Sequence, residues 1–378
     1  MNTFIRLIAG PAMTASALAG PFPPAAGVAG SDAIITSDPR FSFWASGVEV
    51  TRGPVEIEFP DDSLVTYGSE SDALGPADAT PDEPYPVVSL GDGGRAVLTF
   101  STPFGDVPGP DFAVFENGFI PNFLELAHVE VSSDGVNFFR FPSTSLTPVT
   151  QNLGEGGAVD PTNVRNLAGK YLAGYGTPFD LAELRRLYPA LDVQRIIKVR
   201  IIDVVGTNVP SLGSLDSLGQ IITDPYPTPF PSGGFDLDAV GVFKATATTY
   251  ATWTANQGLI NANAAATADP DQNGVQNLIE YLTGNGVVGM ATGTSGRTLH
   301  FSRLSYRTGG NLRIQGSSDL AHWTTLATSA NAAAMQSANT GAATVSEAGS
   351  ANSRKEVSVQ LPSNSPYRYF RLAAELVP

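Results

Sequence analysis

The chain has 378 residues, no cysteine, three histidines and a formal net charge of −15 at pH 7. Without cysteine it cannot form disulfides, zinc–cysteine sites or a cysteine nucleophile. The negative charge argues against nucleic acid as a partner, because neutralising phosphates requires a basic surface. At about 100–200 residues per domain, the length suggests two or three domains.

The acidic residues are unevenly distributed. Residues 1–245 hold 13 Lys and Arg against 29 Asp and Glu, whereas residues 246–378 hold 8 against 7. Two regions of different charge indicate two parts that fold separately. The excess carboxylates are either a solubility device or a source of calcium ligands.

Residues 1–30 have the pattern of a secretory signal followed by a flexible mature N-terminus. Arg6 supplies a positive charge, and the apolar stretch 7–19 is too short to cross a bilayer, which needs about 20 residues. Ala17-Leu18-Ala19 is an A-x-A cleavage site. We therefore expect export to the periplasm, the cell surface or the medium. No later run of 18 apolar residues follows, so we expect no membrane span.

Residues 31–245 consist of short apolar or alternating runs between turn signals, which is typical of antiparallel strands. Residues 133–135, Ser-Asp-Gly, predict a hairpin turn, and residues 181–188 predict the one helix of this region. The expected fold class is mainly β, with a two-sheet antiparallel jelly-roll sandwich here. The predicted strands include residues 48–50, 96–100, 112–115, 129–132, 196–205 and 235–243.

The periodicity changes after residue 245. Residues 246–290 predict a helical linker, with helices over 253–265 and 277–282. Residues 291–378 return to alternating runs and predict a small β-sandwich, in which the low-complexity stretch 329–353 predicts a loop.

The strongest motif lies in that linker. Residues 269–280 read Asp-Pro-Asp-Gln-Asn-Gly-Val-Gln-Asn-Leu-Ile-Glu and match the EF-hand calcium loop at every fixed position. Gly274 permits the sharp turn at position 6, and carboxylate, amide and carbonyl oxygens are the ligands that Ca²⁺ prefers. A single loop indicates a structural site of weak affinity; the alternative is an ordinary turn before a helix. The predicted ligands are Asp269, Asp271, Asn273, the Val275 carbonyl, Asn277 and Glu280.

A second candidate site lies in the larger region. Asp236 and Asp238 are two residues apart in a predicted strand, so we expect both on one face. A buried pair of like charges needs a cation. Glu116, Asn117 and Asp203 lie at the ends of other predicted strands and complete a candidate metal or sugar-binding site. The alternative is that these residues cap turns or face solvent.

A proline-rich loop offers a third candidate. In residues 224–230, Asp-Pro-Tyr-Pro-Thr-Pro-Phe, the prolines would present Tyr226 and Phe230 to a ligand with little loss of entropy on binding. The alternative is a loop that packs on its own sandwich.

Catalytic patterns are poorly supported. The histidines, His128, His300 and His322, are scattered and leave little for a Ser-His-Asp arrangement. A carboxylate pair such as Glu116 with Asp203 could serve glycoside hydrolysis, but any acidic protein offers such pairs. The sequence therefore predicts no catalysis.

The larger region resembles a family of secreted bacterial cell-surface proteins. The motifs that carry the resemblance include 87–94 (VVSLGDGG), 111–119 (DFAVFENGF) and 234–241 (GFDLDAVG). The resemblance implies a galactose-binding or discoidin-type jelly roll that binds glycans or surfaces, although a shared fold does not fix a function.

The smaller region resembles the C-terminal module of many exported bacterial proteins. In that module a calcium segment like those of dockerins and thrombospondin repeats precedes a small β-sandwich. Besides the calcium motif, residues 316–323 (GSSDLAHW) and 367–372 (YRYFRL) carry the resemblance.

Together these features predict a secreted, calcium-stabilised cell-surface protein with a non-catalytic module that binds glycans or surfaces. Two alternatives stay open. One is a carbohydrate-active enzyme, either a glycoside hydrolase or a lyase, and the other is a purely structural component of a surface or matrix.

Overall fold

The computed structural model describes residues 19–59, 63–149, 152–284, 286–294, 296–339, 343–349 and 353–377. The predicted signal sequence falls almost entirely on residues 1–18, which lie outside the described residues. The protein is mainly β, its strands pair antiparallel, and the architecture is that of a β-sandwich, which confirms the predicted fold class at this level.

The first sandwich contains thirteen of the described strands and one short helix. Because turns rich in glycine and proline punctuate the sequence, most of these strands are short. They are β1 (Ile34–Ile35), β2 (Phe43–Trp44), β3 (Gly47–Thr51), β4 (Val88–Ser89), β5 (Arg95–Phe104), β6 (Phe112–Glu116), β7 (Ala127–Ser132), β8 (Phe139–Arg140), β9 (Thr144–Ser145), β10 (Val164–Arg165), β11 (Tyr175–Phe179), β12 (Ile196–Asp203) and β13 (Asp236–Val242), with α1 (Ala182–Arg185) before β12.

Two large sheets form this sandwich, and β9 and β10 pair with each other as a separate two-stranded sheet. The first has the order β1-β11-β6-β13-β2, with β4 also paired to β13, and the second has the order β3-β5-β12-β7-β8. The longer strands alternate between the sheets along the chain, since β5, β7 and β12 belong to the second sheet and β6, β11 and β13 to the first. The strand β13 is the last strand of this sandwich along the chain, yet it lies inside the first sheet, between β6 and β2.

The inner faces of the two sheets enclose one large apolar core. Phe112 and Leu237 from the first sheet pack with Leu98, Val129 and Ile201 from the second, and all five are fully buried. Burying a large apolar side chain contributes about 1.5–3 kcal/mol. Because the chain has no disulfides, this burial carries much of the stability of the first sandwich.

The second sandwich follows two short helices, α2 (Tyr250–Asn256) and α3 (Asn277–Thr283). Its sheets have the orders β14-β15-β20-β19 and β18-β17-β16-β21. A separate core includes Phe301, Val359 and Ile314 from the sheets and Leu278 and Tyr281 from α3. The strands are β14 (Gly289–Gly293), β15 (Gly296–Leu304), β16 (Gly310–Ser317), β17 (Thr324–Ala330), β18 (Gln336–Ser337), β19 (Thr344–Ala348), β20 (Arg354–Gln360) and β21 (Tyr369–Leu376).

Local elements differ from the sequence predictions at two places in this second part. The helix expected over 253–265 ends at Asn256, because Gly258 has a φ of 67°, which leaves the right-handed helix. The loop expected over 329–353 instead contains β18 and β19, which pair antiparallel with β17 and β20. Within the described ranges, no helix has the length and apolar character needed to cross a membrane.

Buried hydrogen bonds join the two sandwiches. The Tyr306 hydroxyl donates to Asp192 Oδ2 at 3.0 Å, and Arg307 Nη2 donates to Gln194 Oε1 at 2.7 Å. Arg307 Nη1 also donates to the Tyr281 carbonyl at 2.5 Å, so this buried guanidinium connects the first sandwich to α3.

The segment after the predicted cleavage site packs on the first sandwich. Gly20 N donates to Thr162 Oγ1 at 2.6 Å, and Phe22 N donates to the Thr162 carbonyl at 3.1 Å. A Cβ on Gly20 would lie 2.2 Å from that carbonyl oxygen, so a larger residue does not fit.

Candidate functional site

The predicted calcium loop, residues 269–280, lies on the surface immediately before α3. Gly274 has a φ of 87° and makes the sharp turn that the motif requires of it. The Asp269 carboxylate closes the turn, because Oδ1 accepts a hydrogen bond from Asn273 N at 3.1 Å and Oδ2 accepts one from Gly274 N at 2.9 Å.

Two of the predicted ligands, Asp271 and Glu280, both contact the side-chain amide of a third predicted ligand, Asn273. Its Nδ2 donates to Asp271 Oδ2 at 2.9 Å and to Glu280 Oε1 at 2.8 Å. Burial raises the pKa of the half-buried Glu280, the hydrogen bond from Asn273 opposes this rise, and the charges of Asp271 and Asp269 add to it. The loop thus gathers carboxylates that repel one another around the positive end of one amide dipole.

The other two predicted ligands anchor the loop. Asn277 is buried and its Nδ2 donates to the carbonyls of Asn263 and Ala265 at 2.7 and 3.0 Å, which holds the loop against the preceding turn. The Val275 side chain packs against the second core. The loop therefore continues directly into a helix whose apolar face is fixed in that core.

The second candidate set lies at the ends of β6 and β13. Asp236 is buried and accepts hydrogen bonds from the Ser89 hydroxyl and from Asn117 Nδ2, the latter at 3.0 Å. Burial raises its pKa to about 7, opposed by these two hydrogen bonds and by the charge of Arg52. The structure thus brings Asn117 and Asp236 into contact, and Leu237 pairs with Glu116 across the two strands.

Asp238 does not form the expected pair with Asp236. The register of β13 against β6 shifts between Leu237 and Ala239, and this irregularity interrupts the alternation on which the prediction rested. The Oδ1 of Asp238 accepts a hydrogen bond from Asp78 N at 3.2 Å, whereas its Oδ2 is buried without a partner in the described chain. Burial raises the pKa of Asp238 to about 7.

The Asp203 carboxylate links two backbone segments that are far apart in the sequence, at Gly93 and Phe235. Its Oδ1 accepts a hydrogen bond from Phe235 N at 2.7 Å and its Oδ2 accepts one from Gly93 N at 2.9 Å. Asp224, which the site predictions did not include, accepts one from Leu126 N at 3.0 Å. Burial raises the pKa of both carboxyls well above the usual range, and the charge of Asp224 adds to the rise for Asp203.

Glu125 is a buried carboxylate that the site predictions also did not include. It lies between Leu124 and Leu126, both fully buried, and is itself only 7% exposed. Burial raises its pKa well above the usual range, and four other carboxylates raise it further. A charged residue inside an apolar pentapeptide, residues 123–127 (FLELA), was the available sequence signal.

The proline-rich loop presents one of its two aromatic rings. Phe230 is 45% exposed, but Tyr226 is only 2% exposed, so the prediction that Tyr226 stacks on a ligand is wrong. Pro229 and Pro231 instead line a surface groove of about 590 Å³ with Phe59, which is 71% exposed, and Leu64. Polar groups of Glu56, Ser63 and Thr66 complete its walls.

A further acidic group went unpredicted. Asp106, Asp111 and Asp180 place one carboxylate oxygen each within 4.8 Å of the others. Both Asp111 oxygens accept backbone hydrogen bonds, from Val107 N and Leu181 N, and Asp106 forms an ion pair with Arg185. These partners already occupy both carboxylate oxygens of Asp111 and one of Asp106.

The histidines lie in three separate environments. His128 is buried on β7, and its Nδ1 has no hydrogen-bond partner among the residues that the structure describes. Burial together with the charge of Arg140 lowers its pKa to about 3. His300 contacts Ser358 at 3.0 Å, and His322 contacts Asp319 at 2.8 Å. No two of them face each other.

Comparisons with known proteins give no match. This holds for protein-family models, for curated proteins and for solved structures.

Proposed function

We propose that the protein is a secreted, calcium-stabilised surface protein whose first sandwich binds glycans without catalysis. The observation that carries this proposal is the groove beside the proline-rich loop. Phe59 exposes its ring there, at 71%, beside polar side chains. Phe230, between the groove-lining Pro229 and Pro231, is 45% exposed. Exposed aromatic rings next to hydrogen-bonding groups suit a ligand with an apolar face and polar edges, as sugar rings have.

The proline residues of this loop support the same function. Pro229 and Pro231 fix the backbone on both sides of Phe230, so little conformational entropy is lost when a ligand binds. The jelly-roll topology is part of the proposal, and the alternation of the longer strands between the two sheets supports it.

Calcium at residues 269–280 is the second part of the proposal. The convergence of Asp271 and Glu280 on the Asn273 amide supports a cation site, since a cation would compensate both carboxylates. The loop leads into α3, which packs in the second core, so calcium would stabilise the second sandwich. Secretion supplies the setting, because loops of this affinity suit extracellular calcium concentrations.

Calorimetric titration of the chain starting at Gly20 against a panel of neutral and acidic polysaccharides tests glycan binding. We expect Phe59→Ala to weaken binding at least tenfold, about 1.4 kcal/mol, because Phe59 is the aromatic ring that lines the groove, as for an aromatic anchor at an interface. Phe119→Ala is the matched control, because Phe119 is 48% exposed and does not line the groove. Equal losses for both variants, or no saturable binding to any polysaccharide, would refute the assignment of the groove.

The same panel separates the two alternatives. Release of soluble oligosaccharide would show a carbohydrate-active enzyme, because a binding module leaves its ligand intact. Assembly into large particles on adding calcium, without affinity for glycans, would show a structural component.

A further inference from the structure

A pocket of about 260 Å³ lies where the N-terminal segment packs on the first sandwich. Phe22 and Pro23 from that segment form part of its wall, and Pro178 from β11 forms another part. The hydrogen bonds that Gly20 N and Phe22 N donate to Thr162 hold the segment in place. The pocket shares no lining residue with the groove beside the proline-rich loop, so it is a separate candidate site.

Lys170 lines this pocket and is buried without a counter-ion. The residue is only 3% exposed. Its ammonium lies over the Tyr171 ring, with Nζ 5.4 Å from the ring centroid, and forms no hydrogen bond or ion pair with any residue that the structure describes. Nζ itself is not fully enclosed, so the charged end of the side chain reaches the pocket. Removing an ammonium from water is costly unless an opposite charge compensates it.

The other charges of the pocket do not compensate Lys170. Arg165 Nη2 donates to Glu183 Oε2 at 3.1 Å, so these two lining residues pair with each other. Burial lowers the pKa of Lys170 to about 8, and the charges of Asp32 and Asp160 oppose this fall. The ammonium form therefore predominates at neutral pH, and the pocket contains a cation that lacks an anion in contact with it.

Two carboxylates that line the pocket each have one oxygen engaged. Asp32 Oδ1 accepts a hydrogen bond from the Tyr171 hydroxyl, and Asp180 Oδ1 accepts one from Ala182 N at 2.8 Å. Within the described chain, the Oδ2 atoms of Asp32 and Asp180 accept no hydrogen bond. Because a carboxylate oxygen accepts and does not donate, these two atoms suit the hydroxyl groups of a ligand.

From this arrangement we propose that the pocket binds a small polyhydroxylated carboxylate of the sugar-acid class, with its carboxylate at Lys170. One carboxylate supplies the single negative charge that Lys170 lacks, and hydroxyl groups donate to Asp32 and Asp180. Phe22 and Pro23 offer apolar surface to the C–H face of a sugar ring. The site is separate from the proposed glycan groove and does not depend on it.

A carboxylate fits this pocket better than a phosphate. Phosphate sites use clusters of backbone N–H groups or of arginines. Three of the lining residues here, Pro23, Pro110 and Pro178, have no backbone N–H to offer. A phosphate also carries a second negative charge at neutral pH, which the carboxylates of Asp32 and Asp180 would repel.

Calorimetric titration of the chain starting at Gly20 with D-glucuronate and D-galacturonate tests the site, with D-glucose and D-galactose as neutral counterparts. We expect saturable binding of at least one uronate, no binding of the neutral sugars at the same concentrations, and at least a tenfold loss of uronate affinity with Lys170→Met. Lys244→Met is the matched control, because Lys244 is exposed and does not line the pocket.

Three results of this titration would overturn the proposal. They are saturable binding of neither uronate, binding of the neutral sugars as tight as that of the uronates, and uronate binding that Lys170→Met leaves unchanged. Acetate that binds as tightly as the uronates would likewise refute the sugar-acid class, because acetate has no hydroxyl groups. Failure of the groove at Phe59 leaves these results unaffected, since Phe59→Ala changes no residue of this pocket.

Thermal unfolding shows whether Lys170 serves a ligand or the fold. Methionine keeps a long apolar side chain and removes the buried charge, so Lys170→Met should raise the melting temperature of the ligand-free protein. A fall would show that the lysine has a partner within the fold and would refute the site. Saturating uronate should raise the melting temperature of the unmodified chain and of Lys244→Met, but not that of Lys170→Met.

Discussion

The change Glu280→Gln separates a calcium loop from an ordinary turn. Glutamine keeps the oxygen that accepts the 2.8 Å hydrogen bond from Asn273 Nδ2, so the metal-free loop retains its main contact. It also removes a charge that Asp271 and Asp269 repel. In EDTA the variant should therefore melt at the same temperature as the unmodified chain or slightly above it.

Calcium should reverse that order. A site with a dissociation constant of about 10⁻⁴ M, at about 100 times that concentration of calcium, stabilises the fold by about 2.7 kcal/mol. For a folding unit about as large as the second sandwich with its helices, about 1 kcal/mol of stabilisation raises the melting temperature by roughly 2–4 °C. Calcium should therefore raise the melting temperature of the unmodified chain by about 5–10 °C. The glutamine variant loses the bidentate ligand at position 12 and should lose most of this gain.

Differential scanning calorimetry in EDTA and in 10-millimolar-range calcium measures both effects. Terbium luminescence excited through tryptophan adds a local readout, because Trp253 lines the same surface cavity as Asp271 and Glu280. Equal melting of both chains in saturating calcium, together with unchanged terbium emission, would refute the loop as a metal site.

Two further predictions concern acid–base behaviour and processing. Burial raises the pKa of Asp238 to about 7, so the folded chain holds a proton that the unfolded chain releases near pH 4. The stabilisation of the folded state by this proton is fully present below about pH 4 and is lost as pH rises through 7. In EDTA the urea midpoint should therefore fall between pH 5 and pH 8, and Asp238→Asn should reduce the fall; an equal fall in both chains would count against it. The mature protein should begin at Gly20, as mass spectrometry of the secreted chain would show, and Gly20→Val should lower the melting temperature because a Cβ would lie 2.2 Å from the Thr162 carbonyl oxygen. A Gly20→Val chain that melts with the unmodified one would contradict that packing.

Turn residues and alternation were enough to predict the β class and most long strands. The strands predicted over 112–115 and 129–132 correspond closely to β6 and β7, because each is an apolar run that ends at a polar turn. The local spacing of the 269–280 motif likewise places Asn273 between two carboxylates. These features depend on neighbours in the sequence.

The sequence could not provide features that depend on distant contacts. The irregular register beside Asp238 arises from pairing with β6, more than 100 residues earlier, and no local pattern announces it. The burial of Tyr226 and of Glu125 likewise results from contacts between segments that meet only in the folded chain. For this reason the sequence specifies the local geometry of residues 269–280 in more detail than that of the candidate sites in the first sandwich.

The position of β13 has a consequence for how this protein is made. β13 is the last strand of the first sandwich, yet it pairs with β6, β2 and β4 in the interior of the first sheet. While residues up to 235 leave the ribosome, β2 and β4 have no partner in that sheet, and its central position stays open. The first sheet therefore completes its pairing only after β13 has been synthesised, and until then the first sandwich stays open.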